Sequence, residues 1–332
     1  MIFLEALAGK NRAKRPPIWL MRQAGRYMHE YQSLRKRYTF LELCHDPELI
    51  SEVTQMPIKA FGMDAAILFS DILLICQALG FNLKFDDALG PIIENPLETI
   101  QELHLEDVVS RLDFVLQGIR LVKQNVKVPL IGFAGAPFTV ASYLIEGRSS
   151  RDLRKTKKWL LEDPASFSKL LDQLADATID YLNAQIDAGC DALQLFDSWA
   201  IYLAQPQFEA YVAKPLEKIL QGLKRCPVIL FCRGASCFYE RLATLPCQAI
   251  SLDWQSDLAQ VRQKVPHIAL QGNLDPDILL QSPKVVQREA RGLLERMHGD
   301  PGFIFNLGHG VLKETPRENV AALVDCIKNY GN

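Results

Sequence analysis

Eight short apolar runs recur along this chain, and each ends in polar or glycine residues. They are Ile18–Met21, Ala65–Phe69, Pro129–Phe133, Ala192–Phe196, Pro227–Phe231, Ala249–Leu252, Ile268–Leu270 and Phe303–Phe305. Each is too short for a helix. As a set they are continuous rather than alternating, broken only by Gln194 and Ser251, which is the pattern of parallel strands covered on both faces. Helical stretches separate most of them, including a basic segment at Tyr31–Tyr38 and longer ones at Phe167–Ala188 and Lys284–Met297. Asp46-Pro47 reads as an N-cap with Pro at the first helical position, opening a helix that runs to about Phe61 and is closed by Gly62. The stretch 82–96, with turn residues Asp86, Asp87, Gly90 and Pro91, reads as an irregular insertion followed by a helix. The alternation predicts an α/β fold: one (β/α)8 TIM barrel over residues 1–332, with its active site at the C-terminal ends of the strands. A doubly wound open sheet is the competing architecture.

The polar tails of the runs are therefore where site residues are expected. After the first run come Arg22, Gln23, Ala24, Gly25 and Arg26. Guanidinium groups are planar forks that match carboxylates and phosphates, and two of them straddling a glycine read as an anion clamp. Residues 1–40 carry nine basic side chains against Glu5 and Glu30. Of these, Lys10 to Arg15 read as a solvated arm. The second run ends in Ser70-Asp71, the fourth in Asp197-Ser198 and the last in Asn306 followed by Gly308-His309-Gly310. Asp71 reads either as a site carboxylate or as the cap of a helix beginning at Ile72, and Ser198 likewise as a carboxylate ligand or a cap. His309, between glycines, reads as a ring presented to a cavity, charged or neutral near its ordinary titration range. By periodicity alone Phe133 and Phe196 are core.

Composition narrows the partners. A net charge of −2 gives no case for nucleic acid or a membrane surface, and no apolar run reaches transmembrane length. The basic N-terminal region on a balanced chain points instead to a small anionic molecule. Eight cysteines occur without a CxxC pair, which predicts reduced thiols and a cytoplasmic protein; neither HExxH nor GxGxxG is present. The N-terminal residues lack the apolar core of a signal peptide.

Six stretches, in order, carry a resemblance: PIWLMRQAGRY from Pro17, FSDIL from Phe69, GFAGAPFTVASYLIEG from Gly132, LQLFDSWA from Leu193, LQGNLDP from Leu270 and FNLGHGV from Phe305. Together they resemble the uroporphyrinogen decarboxylase family over nearly the whole chain. The resemblance implies the barrel independently. It also implies removal of carbon dioxide from the four acetates of uroporphyrinogen III, giving coproporphyrinogen III, with no cofactor and no metal, by a homodimer.

That reaction needs capture of a polyanion, implied for Arg22, Gln23 and Arg26. It needs an acceptor for the four pyrrole N–H groups, implied for Asp71, whose anion would also stabilise the ring cation formed by protonating the acetate-bearing carbon. Arg22 is expected to orient and balance charge rather than donate a proton, because its pKa exceeds about 12. Tyr143 and His309 are the other donor candidates, Ser198 and His309 are expected to bind carboxylates, and Phe133 and Phe196 to line the apolar part of the site. Arg148, Ile201 and the less glycine-rich Phe231–Ser236 depart from the family's usual pattern and put loop detail in doubt. A related branch of zinc-dependent methyltransferases carries His-x-Cys after the fifth strand, where this chain has Phe231 and Arg233. A non-catalytic tetrapyrrole binder is the other alternative; it would not need Asp71 or Tyr143.

Overall fold

The structure is a computed structural model that describes residues 1–86, 88–99, 103–234 and 237–331. Nine strands occur among these residues: β1 (Ala66–Ile67), β2 (Leu83–Asp86), β3 (Gly90–Ile93), β4 (Leu130–Gly135), β5 (Ala192–Asp197), β6 (Val228–Cys232), β7 (Ala249–Ser251), β8 (Ala269–Leu274) and β9 (Phe303–Leu307). Seven form one parallel sheet in the order β1-β4-β5-β6-β7-β8-β9, so each strand after the hairpin pairs with the next in sequence. Helices provide most of the crossovers, among them Asp113–Asn125, Pro164–Ala188 and Pro283–Arg296.

The first apolar run is not a ladder strand. Ile18 makes a single parallel bridge to Phe305. The Phe305 N–H donates to the Pro17 carbonyl at 2.9 Å, and the Trp19 N–H donates back to Phe305 at 3.4 Å. On the other side Ile18 accepts from the Asp64 N–H at 2.8 Å, two residues before β1. Pro16 and Pro17 bring no N–H donors, and the chain turns at Arg22, so the run is too short to build more. Side chains complete it. Asn306 Oδ1 accepts from Met21 N, while Gln23 accepts from Leu20 N and donates to the Ala65 carbonyl. Arg15, expected in a solvated arm, forms a forked pair with Asp64 at 2.6 and 2.9 Å, and Asp64 also accepts from Ile18 N. One segment thus bonds both to β9 and to the approach to β1, the two outer strands of the sheet.

Both faces of the sheet are buried, as continuous apolar runs require. On one face Ile131, Ala192, Ile229, Phe231, Ala249, Ala269 and Ile304 pack together with Trp19 and with Phe3, Ala6 and Leu7 of the short helix Ile2–Leu7. The other face packs on the crossover helices in the main core. The first cluster holds a buried polar chain, in which Trp19 donates to Gln271, and Gln271 donates to Gln194 and Ser251.

The helix Pro47–Phe61 forms as its signals dictate. Asp46 Oδ1 accepts from Glu48 and Leu49 N–H groups, and Gly62 ends it at φ 67°. The basic segment forms His29–Arg35, so Tyr38 falls outside it. The stretch expected to be irregular is instead an antiparallel hairpin of β2 and β3, whose turn Asp86 closes by accepting from Ala88 and Leu89; Asp87 lies outside the described residues. All eight cysteines are free, and Cys44, Cys76, Cys190 and Cys232 are buried. Among the described residues no helix is long and apolar enough to cross a membrane.

Candidate active site

The expected site residues sit where strands end. Arg22 follows the first run and occupies left-handed backbone at φ 59°, an unusual conformation for a side chain with a Cβ. Its side chain lies over Gly310: a Cβ there would come within 2.6 Å of Arg22 Cγ. The glycine on the C-terminal side of His309 thus makes the room that Arg22 uses.

Asp71 follows β1. One oxygen accepts from the Leu73 N–H at 2.8 Å, and among the described residues the other has no hydrogen bond. The helix begins at Leu74, with Leu73 at its N-cap and no side-chain cap, so Asp71 does not cap a helix starting at Ile72; its one bond closes the turn before that helix. Burial raises its carboxyl to about 6, partly offset by the Leu73 hydrogen bond and by the positive charge of Arg22. His309 follows β9. Burial, and the charges of Arg22 and Arg233, lower its pKa to about 3. The ring is therefore neutral at pH 7, which narrows the sequence expectation of a charged or neutral group.

Tyr143 lies in the helix Pro137–Glu146, which follows β4. Its hydroxyl is 3.2 Å from Ser149 Oγ, and its ring packs 5.7 Å from Trp199. Burial raises its pKa, with Asp71, Arg22 and Arg233 all acting on it, so the phenol stays protonated. Arg22, Asp71, Tyr143, His309 and Arg233 form one electrostatically connected group. Beneath them rings meet edge to face: Phe133 with Phe196 at 5.6 Å, Phe196 with Phe231 at 5.8 Å, and Phe231 with His309 at 6.0 Å. Phe133 is thus buried in the core, and Phe196 packs half-buried against it.

Two expected binders are placed differently. Gln23 is 1% exposed, and both ends of its amide hold the first segment to the start of β1. It supports the loop carrying Arg22 and Arg26 rather than facing the mouth. Arg26 is exposed, and no contact among the described residues joins its side chain to the central group.

Asp197 was not singled out from the sequence. Its Oδ1 accepts from Thr139 Oγ1 at 3.0 Å, Trp199 N at 2.9 Å and Ala200 N at 2.8 Å, whereas its buried Oδ2 has no partner. Burial raises this carboxyl to about 6. The cap expected of Ser198 is therefore made by its neighbour. Ser198 donates its N–H to Thr139, and its hydroxyl makes no hydrogen bond among the described residues. The available signal was the parity of β5: Gln194 and Phe196 face inward, so Asp197 turns outward onto the helix that carries Tyr143.

A model of the family described as uroporphyrinogen decarboxylase (URO-D) matches residues 2–330. The chain belongs to that family. It is 50% identical over 330 residues to a uroporphyrinogen decarboxylase of Protochlamydia amoebophila, covering 98% of this chain and 90% of that one. It is 43% identical to one from Syntrophotalea carbinolica, covering 98% of this chain and 96% of that one. Among solved structures, a methyltransferase from Methanosarcina mazei superposes with a TM-score of 0.85 at 21% identity, covering 100% of this chain and 98% of that one. At that identity the likeness speaks for the fold alone. Among the described residues no group of three His, Cys, Asp or Glu side chains is placed to hold a metal ion.

Proposed function

We propose that this chain decarboxylates uroporphyrinogen III at its four acetates, giving coproporphyrinogen III in tetrapyrrole biosynthesis. The observation that carries the reading is the Asp71 carboxylate. It is half-buried, close enough to feel the charge of Arg22, with one oxygen uncommitted among the described residues, in a chain of this family.

The chemistry fits that placement. Asp71's free oxygen accepts the pyrrole N–H groups. A proton must reach the ring carbon next to the one bearing the acetate. Protonating the acetate-bearing carbon itself, as the sequence reading had it, would leave the breaking bond unconjugated with the iminium. From the adjacent position, cleavage of the C–C bond sends its electron pair into the ring, releases carbon dioxide and leaves an exocyclic methylene. A second proton converts the methylene to a methyl, and loss of the first restores the aromatic ring, so one proton is consumed per carbon dioxide. The Asp71 anion stabilises the intermediate cation. Arg22 orients the departing carboxylate. His309, neutral at pH 7, offers a hydrogen bond rather than a proton. Tyr143, protonated, donates a hydrogen bond.

In this reading the segment around Ile18 is the eighth stave of a closed barrel forming one domain over 1–332. The active unit is a homodimer in the cytoplasm, working without metal or cofactor. The test is an anaerobic assay of metal-free protein with uroporphyrinogen III, with products separated after oxidation. Stepwise seven-, six-, five- and four-carboxylate products support the proposal. Tight binding without carboxylate loss would leave a tetrapyrrole binder. Asp71→Asn should abolish most turnover, and near-normal activity would remove Asp71 from the mechanism.

A further inference from the structure

We infer that Arg233 is a second carboxylate anchor, set across the mouth from Arg22, and that it fixes how the polyanionic substrate is seated. The inference rests on the proposed function and goes beyond the residues assigned to it. Arg233 directly follows β6, and its N–H donates to the Asp197 carbonyl at 2.8 Å, continuing the β5–β6 pairing by one residue. Side chains alternate along a strand, so Arg233 shares the face of Ile229 and Phe231, both in the inward cluster. Phe231 lies 6.0 Å from the His309 ring, so the next inward side chain stands above it at the mouth. The charge of Arg233 acts on both His309 and Tyr143, and β6 is the central strand of the sheet, whereas the segment leading to Arg22 joins its two outer strands. Among the described residues it has no ion pair and no side-chain hydrogen bond, whereas Arg15, Arg241 and Arg262 are each paired.

The loop is built to hold it. Gly234 has φ 66°, its N–H donates to Asp253 Oδ2 at 2.6 Å, and a Cβ there would come within 2.6 Å of Ile201 Cγ1. Ile201 and Gly234 fit each other, so two departures noted in the sequence, at Ile201 and Arg233, are parts of one loop contact. An exposed guanidinium with no ion pair among the described residues, on the strand end next to Phe231 and His309, suits a carboxylate carried on a ring that packs against those rings. A substrate with carboxylates around its rim can meet Arg22 and Arg233 at once.

The test is steady-state kinetics of the full chain with uroporphyrinogen III, alongside fluorescence titration with oxidised uroporphyrin. Arg233→Gln should raise KM and weaken uroporphyrin binding about tenfold, with kcat within about twofold, and Arg233→Lys should recover most of the loss. His309, followed by NMR, should titrate at higher pH in Arg233→Gln. Unchanged KM and uroporphyrin affinity in Arg233→Gln would overturn the anchor. So would an unmoved His309 titration. A wild type that binds but does not turn over, with binding still weakened by Arg233→Gln, would keep the anchor and remove the decarboxylase reading.

Discussion

The Asp197 carboxylate accepts a 3.0 Å hydrogen bond from the Thr139 hydroxyl, and that hydroxyl in turn accepts from Ser198 N at 2.8 Å. This latch ties the end of β5 to the helix carrying Tyr143, four residues beyond Thr139. Trp199, held by the same carboxylate, packs on the Tyr143 ring. Thr139→Val keeps the shape and removes both bonds. It should destabilise the chain by about 1–2 kcal/mol, because the half-buried Ser198 N loses its partner and the buried Asp197 carboxylate loses a donor. It should also lower kcat severalfold as Tyr143 loses its support. Denaturant unfolding and kinetics at one pH check both, and unchanged kcat would show that the latch is structural only.

Asp71 sets a trade between activity and stability. Its carboxyl is raised to about 6, so between about pH 4 and 6 the folded chain holds a proton that the unfolded chain has released. Stability contributed by this group therefore falls as pH rises through that window. Asp71→Asn removes the half-buried anion and should be about 1–3 kcal/mol more stable than wild type at pH 8, with the gain gone below pH 4. His309, lowered to about 3, works in the opposite direction, but it is present in both proteins. Thermal melts across pH decide the matter; a constant difference between the two proteins would contradict the assigned shift.

Much of this organisation is legible in the sequence because it is local. Continuous apolar runs mark buried parallel strands. Asp46-Pro47 and Gly62 bracket a helix by capping alone, and polar residues after each run mark the mouth. What escapes is what depends on which side chains meet. Gln23, flanked by two arginines, reads as a binder, but whether an amide faces a cavity or a backbone is set by the groups it meets in the fold, here Leu20 N and the Ala65 carbonyl. Asp197 looks like one more strand-end acid until its three donors are seen. The hairpin at Leu83–Ile93 has too few alternating residues to announce itself.

Gln23 gives a stability prediction that separates it from the arginines beside it. Gln23→Ala leaves Leu20 N and the Ala65 carbonyl buried and unpaired, which costs about 2–4 kcal/mol. KM for the fraction that remains folded should change less than threefold. A stable Gln23→Ala with greatly raised KM would return Gln23 to the binding residues.

Gly310 tests whether the Arg22 conformation matters as much as its charge. Gly310 is not in left-handed backbone, so alanine there brings no φ strain. The new Cβ would instead meet Arg22 at Cγ and Cδ, mid-chain atoms that cannot swing aside without moving the guanidinium. Misplacement of a positioning group by about 1 Å costs on the order of 100-fold. Gly310→Ala should therefore lower kcat/KM about 10- to 100-fold while leaving the melting temperature within a few degrees of wild type. If activity survives, Arg22 serves as a diffuse positive charge and its fixed direction is dispensable. If activity and fold are lost together, the glycine is needed for the turn and not for the arginine.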